Sequence, residues 1–259
     1  MILLTGATGT VGRALLPHLL GRGDDVRVLV RDPRGLGRAR VDVQLALGDL
    51  ESLGDPHLKR QALRGVDTVI HLAASIRDQP GASVEELNGL ATARLLRAAE
   101  RLGTERFLFF SAMGASTLRR TRFFRAKALA EEAVAASPLE TTIFAPSIVY
   151  DRDDPWVRIM RRLSLLPVLP IAGAGRAAFQ PIWAGDVSRC VVEVLNGRGP
   201  KRLELAGPET LTYEAMARLI ARAHGRHRPL VHVPLGLVRL GLIWLRRIVG
   251  DAAFVVTLS

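Results

Sequence analysis

Near the start of the chain, Gly6, Gly9 and Gly12 recur at three-residue intervals within Thr5-Gly6-Ala7-Thr8-Gly9-Thr10-Val11-Gly12. That spacing suits closing main-chain amides around a diphosphate. Gly6 lets the chain reverse at a strand end, Gly9 leaves no Cβ between backbone and anion, and Gly12 lets a helix come close to the strand. Thr8, Thr10 and Val11 belong to the same phosphate-facing loop. The free N–H groups and positive dipole end of the following helix would supply the attraction, so no lysine is needed. An apolar run, Ile2-Leu3-Leu4, precedes the loop, and Leu15, Leu16, Leu19 and Leu20 follow it at helical spacing. A second apolar run covers Val26 to Val30. This strand, loop, helix and strand context separates the pattern from an ordinary glycine turn. Pro17, inside the helix, is expected to bend it.

Other chemistry is poorly represented. Cys190 is the single cysteine, which excludes an internal disulfide and a cysteine-cluster metal site and fits a reducing compartment. His224, His227 and His232 lack a nearby carboxylate and stand among Arg222, Arg226 and Arg228, whose charge would repel a cation, so no metal site is expected. His71 lies in an apolar run and reads as a satisfied core residue. The net charge of +11 comes from 36 basic and 25 acidic residues, with Lys59, Lys127 and Lys201 the only lysines. The arginines are spread along the chain and aromatics make up 5%, so no basic stripe interleaved with aromatics marks a nucleic-acid surface.

The elements that must position the loop follow an alternating pattern. The 259 residues, 48% of them hydrophobic, suffice for one or two joined domains. Val26 to Val30, Val41 to Leu47, Thr68 to Leu72, Arg106 to Phe110 and Thr141 to Ala145 read as buried parallel strands. The clearest helix runs from Ser83 to Arg101, with Leu87, Leu90, Ala91, Leu95 and Ala98 on one face and Arg94, Arg97 and Arg101 toward water. The expected fold is therefore α/β: a Rossmann-type, doubly wound parallel sheet over residues 1–146. Beyond Pro146, frequent prolines and glycines mark a smaller substrate-side portion over residues 147–259, partly built on the same sheet. A first strand at Ile2 leaves no room for a signal peptide, which points to the cytosol. Residues 235–249 read as a largely apolar helix interrupted by Arg239, Arg246 and Arg247. That helix either closes the smaller lobe or meets a protein or membrane surface, which would make the chain peripheral to a membrane.

Taken together, the glycine loop, Val28-Leu29-Val30-Arg31-Asp32-Pro33, Gly48-Asp49-Leu50, Val69-Ile70-His71-Leu72-Ala73-Ala74, Phe109-Phe110-Ser111-Ala112-Met113-Gly114, Lys127 and Phe179 to Val187 resemble the short-chain dehydrogenase/reductase superfamily. The likeness covers nearly the whole chain and points to the extended and atypical branch, which includes the nucleotide-binding accessory subunit of respiratory complex I and NmrA-like regulators. The resemblance implies a dinucleotide cofactor. Arg31 stands where NAD-preferring relatives carry an acidic residue and would pair with the 2′-phosphate of NADP, while Asp32 could still accept a ribose hydroxyl and keeps NAD open. Asp49, followed by Leu50, would take the adenine amino group or else cap a helix near Ser52. Ala73 and Ala74 would leave room for ribose, and Pro146 and Ser147 would run beside the nicotinamide.

The resemblance also exposes a substitution. Active relatives place a Tyr and a Lys at i and i+4 of one helix, the cation lowering the phenol pKa for proton exchange. Here that pair is Phe123 and Lys127. Tyr150 and Tyr213 are the only tyrosines, and neither stands four residues before a lysine. Lys127 keeps a cofactor-ribose role, Ser111 would orient a substrate oxygen, and Asn88 matches a structural asparagine. Two functions remain open: an NADP-dependent oxidoreductase acting on a small hydrophobic carbonyl or quinone-like acceptor, or a silent NADP(H)-binding subunit or redox sensor.

Overall fold

Alternation of apolar side chains builds the sheet. Strand β1 (Ile2–Thr5) is buried throughout, with Ile2 and Leu4 in the core on one face and Leu3 in the core on the other. Strands β2 (Val26–Val30), β4 (Thr68–His71), β5 (Arg106–Phe110) and, from Thr142 onward, β6 (Glu140–Pro146) repeat the arrangement, whereas β3 (Gln44–Leu47), expected as a buried strand, lies at the sheet edge with only Ala46 buried. With an edge strand at Arg202–Leu205 they form a seven-stranded sheet in the order β3-β2-β1-β4-β5-β6 and then the edge strand. Every neighbouring pair is parallel. Strands buried on both faces need helices on both sides. The computed structural model describes residues 1–197 and 199–238.

The helices of this unit are α1 (Thr10–Gly21), α2 (Pro56–Leu63), α3 (Ala91–Arg101) and α4 (Arg122–Ala135), joined later in the chain by one at Ala184–Asn196. Leu15, Leu16 and Leu19 of α1 share a core with Val187, Val191 and Val194 and with Leu4, Val28 and Phe110 of the sheet. On the opposite face, Leu63, Leu95 and Val134 from α2, α3 and α4 meet Leu3, Val69 and Phe107. At roughly 2 kcal/mol for each fully buried large aliphatic side chain, these layers fix the strand ends that carry the loops.

Two compact units divide the chain. Met1–Val149 and Ile182–Ala206 form the first, so the segment 182–206 returns to the sheet from the portion expected beyond residue 146. The second comprises Tyr150–Pro181 and the described residues from Gly207 onward. In it α5 (Pro155–Leu163) is capped by the Asp154 carboxylate, which accepts from the N–H groups of Trp156 and Val157. A helix at Tyr213–Ala223 and a parallel pair, Leu169–Ala172 with Leu230–Val233, complete a small core around Met160, Ile171 and Ala217.

Several elements differ from expectation. The third strand begins at Gln44 rather than Val41, because Pro33–Val41 is taken up by 3-10 turns broken at Gly37 (φ 59°), leaving Val41 79% exposed. The edge strand Arg202–Leu205 is an addition to the expected strands; only Leu205 in it is buried. The expected helix from Ser83 contains a π turn at Glu86–Leu90 before α3. The wider turn shifts the phase of the apolar stripe, and Leu90 is 44% exposed. Pro17 lies on the exposed side of an unbroken α1. Residues 235–238 are helical, and the rest of the helix expected over 235–249 lies outside the described residues.

Candidate functional site

The sheet reverses its strand order between β1 and β4, and in such sheets ligands settle at the carboxyl ends on either side of that point. There the glycines differ in what they permit. Gly6 has φ 76°, and a Cβ on it would lie 2.6 Å from the Ala73 nitrogen. At Gly12 a Cβ would lie 2.3 Å from the Gly6 oxygen, so α1 can pack this closely only on a bare backbone. Around a Cβ at Gly9 there would be nothing but the Gly6 oxygen, at 3.3 Å. Its open side faces away from the protein, which gives the room that a close-lying anion requires. Gly9 is the N-cap of α1 with no side-chain cap, and no acidic residue occupies the first turn. The first amides of α1, from Thr10, Val11 and Gly12, thus keep the orphan donors of a helix start. These features fit a diphosphate.

A cavity of about 480 Å³ opens at this point, with Gly6, Thr8 and Gly9 on one wall. Arg31, Asp32, Asp49, Leu50, Ala73 and Ala74 also line it. Arg31 is exposed and its charge bears on Asp49. The Asp32 carboxylate is engaged by its own turn: it accepts from the Arg34 backbone N–H at 2.9 Å and pairs with the Arg34 guanidinium at 3.2 Å. Asp49 accepts from the Ser52 N–H at 2.8 Å and the Ser52 hydroxyl at 2.6 Å. Partial burial would raise its pKa, but the bonds from Ser52 and the charge of Arg31 together hold it below the usual carboxylate range. Both contacts run from Ser52, the first residue of the 3-10 turn Ser52–Gly54, whose N-cap is Glu51. Sequence reasoning missed Gly35, Ser75 and Gln79, which line the same cavity. Gly35 had a legible signal: it ends the turn capped by Asp32, and a Cβ there would lie 2.9 Å from Thr8 Cγ2.

Beneath the cavity a buried chain of hydrogen bonds ties its walls together. The Thr5 hydroxyl accepts from the Ala73 N–H at 3.2 Å and lies 2.7 Å from His71 Nδ1. His71 Nε2 lies 3.0 Å from the Thr92 hydroxyl, which donates to the Asn88 carbonyl at 2.8 Å. With the Thr92 proton committed, the network assigns the imidazole proton to Nε2, and the Thr5 hydroxyl donates to Nδ1. Asn88 then holds Ser75, donating to its carbonyl at 2.6 Å and accepting from its N–H at 3.2 Å. His71 is the satisfied core residue expected; burial, aided by the charge of Lys127, pushes its pKa down to about 3. The π turn carries Asn88 into this network.

Ser111, Lys127, Pro146 and Ser147 lie outside the lining of that cavity. Lys127 is 2% exposed, donates to the Phe110 carbonyl at 2.7 Å and lies over the Phe109 ring at 4.8 Å. Phe123, one turn earlier on α4, presents its ring to the same ammonium at 5.8 Å. The i and i+4 relation is therefore real, with a ring face in place of a phenol. Burial pushes the Lys127 pKa down to about 7, partly offset by Glu131. Ser111, next to Phe110, has a buried hydroxyl with no hydrogen-bond partner among the described residues. Pro146 accepts from the Met113 N–H at 2.8 Å, and the Ser147 N–H donates to Leu205 at 2.8 Å, fixing the end of β6. Tyr150 is 38% exposed, and the Tyr213 hydroxyl reaches Met160 Sδ at 3.9 Å. Among the described residues no group of histidines, cysteines and carboxylates is arranged to hold a metal ion, and no helix is long and apolar enough to cross a membrane.

A family model described as NAD(P)H-binding matches residues 6–179. The chain is 30% identical over 227 residues to NADH dehydrogenase (ubiquinone) 1 alpha subcomplex subunit 9, mitochondrial, of Arabidopsis thaliana, covering 83% of this chain and 56% of that one. It is 33% identical over 144 residues to the photosystem II assembly factor Ycf39 of Cyanophora paradoxa, covering 55% and 44%. The chain thus spans about half the length of these two relatives. Among solved structures, the UDP-glucose 4-epimerase of Thermus thermophilus in complex with NAD superposes with a TM-score of 0.75 at 24% identity, covering 90% of this chain and 86% of that one. That likeness establishes the Rossmann-like fold.

Proposed function

The chain belongs to the NAD(P)H-binding family, and from that premise we propose that it holds NADP(H) across the carboxyl ends of β1, β2 and β4. The observation that carries the reading is the uncapped start of α1 at Gly9, whose open side lets an anion approach main-chain amides. Arg31 supports the phosphorylated cofactor, because the neighbouring carboxylate of Asp32 is turned into its own loop by Arg34. Ala73, Ala74, Asp49 and Leu50 would flank the adenosine half, and Lys127, Ser111, Pro146 and Ser147 the nicotinamide half. The bound cofactor would supply hydride chemistry.

In this reading the protein acts chiefly as a nucleotide holder, a structural subunit or redox sensor. Phe123 cannot give or take a proton, and the Lys127 ammonium, burdened by burial, is spent on the Phe110 carbonyl. Two relatives bear the names of a complex I subunit and an assembly factor, which agrees with a role beside other proteins. The partnerless Ser111 hydroxyl favours a second reading: reduction of a small hydrophobic carbonyl or quinone-like acceptor, with its oxygen held by Ser111 and the proton drawn from Ser111 or water. Cys190 is unpaired, in keeping with a reducing, cytosolic setting. Incubating purified protein with NADPH and a panel of quinones, enones and ketones separates the readings. A holder perturbs NADPH fluorescence and consumes none; steady oxidation of NADPH with any acceptor establishes the second.

A further inference from the structure

The second unit contains a cavity of about 290 Å³ remote in sequence from the glycine loop. Its lining includes Arg218, Arg222, Arg226, His227 and Arg228 and, among the described residues, no carboxylate. Arg218 is balanced by Glu214 at 2.7 Å. Arg226 and Arg228 instead donate to the hydroxyl and carbonyl of Ser164, at 3.2 and 3.3 Å, and these partners bring no negative charge. Arg222 forms no ion pair among the described residues. Several guanidinium groups thus converge without compensation, an arrangement matched by the multiple acceptor oxygens of a phosphate ester.

The residues just after Ser164 narrow the ligand. Leu165 and Leu166 are 61% and 45% exposed, and Val168 is exposed as well. The two bonds to Ser164 pin this apolar loop beside the arginines, and Arg161 and Arg162 in the last turn of α5 precede it. Leucines left in water next to convergent cations make an interfacial pattern, in which apolar side chains enter the acyl boundary while guanidinium groups stay at the phosphates. A soluble phosphate would use the cations and leave the leucines without purpose. Single-stranded nucleic acid would call for stacking aromatics, and among the described residues the cavity wall contains none but His227. We propose that this cavity receives the phosphate of an anionic phospholipid at a bilayer surface, with Leu165 and Leu166 entering the interface beside it.

Flotation of the full chain with vesicles tests the assignment. Vesicles of phosphatidylcholine with phosphatidylglycerol should bind it, with affinity falling as salt rises, and pure phosphatidylcholine vesicles should not. One guanidinium near an anionic leaflet is worth about five-fold in binding, so Arg222→Glu with Arg228→Glu, which removes two such charges and adds two repulsive ones, should weaken it by more than about 25-fold. Leu165→Ser with Leu166→Ser, at exposed positions, should weaken it with the melting temperature unchanged. Arg222→Gln alone, at an exposed residue without an ion pair, serves should the double charge reversal fail to fold. Equal binding to both vesicle types overturns the proposal, as does binding indifferent to the arginine and leucine variants. Tight binding of inorganic phosphate or an oligonucleotide without vesicle binding overturns it too.

Discussion

The two ends of the sheet unit's candidate site are built from different materials. At the glycine loop, recognition rests on backbone: bare glycines, an uncapped helix start and one exposed arginine. Around Lys127 everything depends on side chains, and there a phenol is replaced by the Phe123 ring while the ammonium is buried against Phe110. Main-chain recognition survives any substitution that leaves the backbone path intact and puts no atom between the amides and the anion. Proton transfer is lost with one oxygen atom. Binding and turnover can therefore part company within one fold, and this chain keeps the geometry of the first.

The largest effect should come from filling the closest approach in the loop. Gly12→Val would force a Cβ to within 2.3 Å of the Gly6 oxygen and should cost about 3 kcal/mol of stability, measured by denaturant unfolding, together with nucleotide binding. Gly9→Ala sharpens the contrast, since its Cβ meets only one protein atom: the melting temperature should hold while NADPH affinity drops. A Gly9→Ala protein that binds NADPH as well as the parent would break the backbone account.

Next in size is Arg31→Ala. Charge-assisted hydrogen bonds are worth roughly 1.5–3 kcal/mol, so NADPH affinity should fall about 10- to 100-fold with NADH little changed. Equal losses for both nucleotides would remove the 2′-phosphate role.

The buried groups predict opposite ends of a pH profile. His71 has a folded pKa of about 3 against an ordinary 6.5, so between those values the unfolded chain binds more protons and stability rises with pH. Replacing His71 by Leu should flatten that acid slope and cost about 2 kcal/mol near neutrality, since the Thr5 and Thr92 hydroxyls lose their shared partner. Lys127 has a folded pKa of about 7 against 10.5, so its contribution likewise rises with pH, in the window from about 7 to 10.5. Lys127→Met should remove this alkaline rise. Chemical denaturation across pH reads both slopes.

The smallest expected effect is Phe123→Tyr. It restores a phenol beside Lys127 and should raise NADPH oxidation with a carbonyl panel from none to a low rate. No change would mean that the ring's neighbours, rather than its missing oxygen, prevent turnover.

Much of this was legible in the sequence because strands buried on both faces and a helix with a leucine stripe write themselves as composition. β1, β2 and β5 lie where the apolar runs place them. The edge strand Arg202–Leu205 escaped because only one of its residues is buried, and the start of β3 was misplaced because Val41 is apolar yet lies in solvent. In the site, glycine positions announce themselves by what they lack. The Thr5, His71, Thr92 and Asn88 network could not be read, since its members lie on separate elements and the π turn that brings Asn88 inward has no mark in the residue pattern. Nor does spacing reveal that the Asp32 carboxylate turns back to Arg34.

Calorimetric titration of the purified chain with NADPH, NADP, NADH and NAD tests the central claim most directly. The account predicts saturable heat with a single site and tighter binding of the 2′-phosphorylated forms. Absence of heat with all four, together with an unmoved melting temperature, would contradict it.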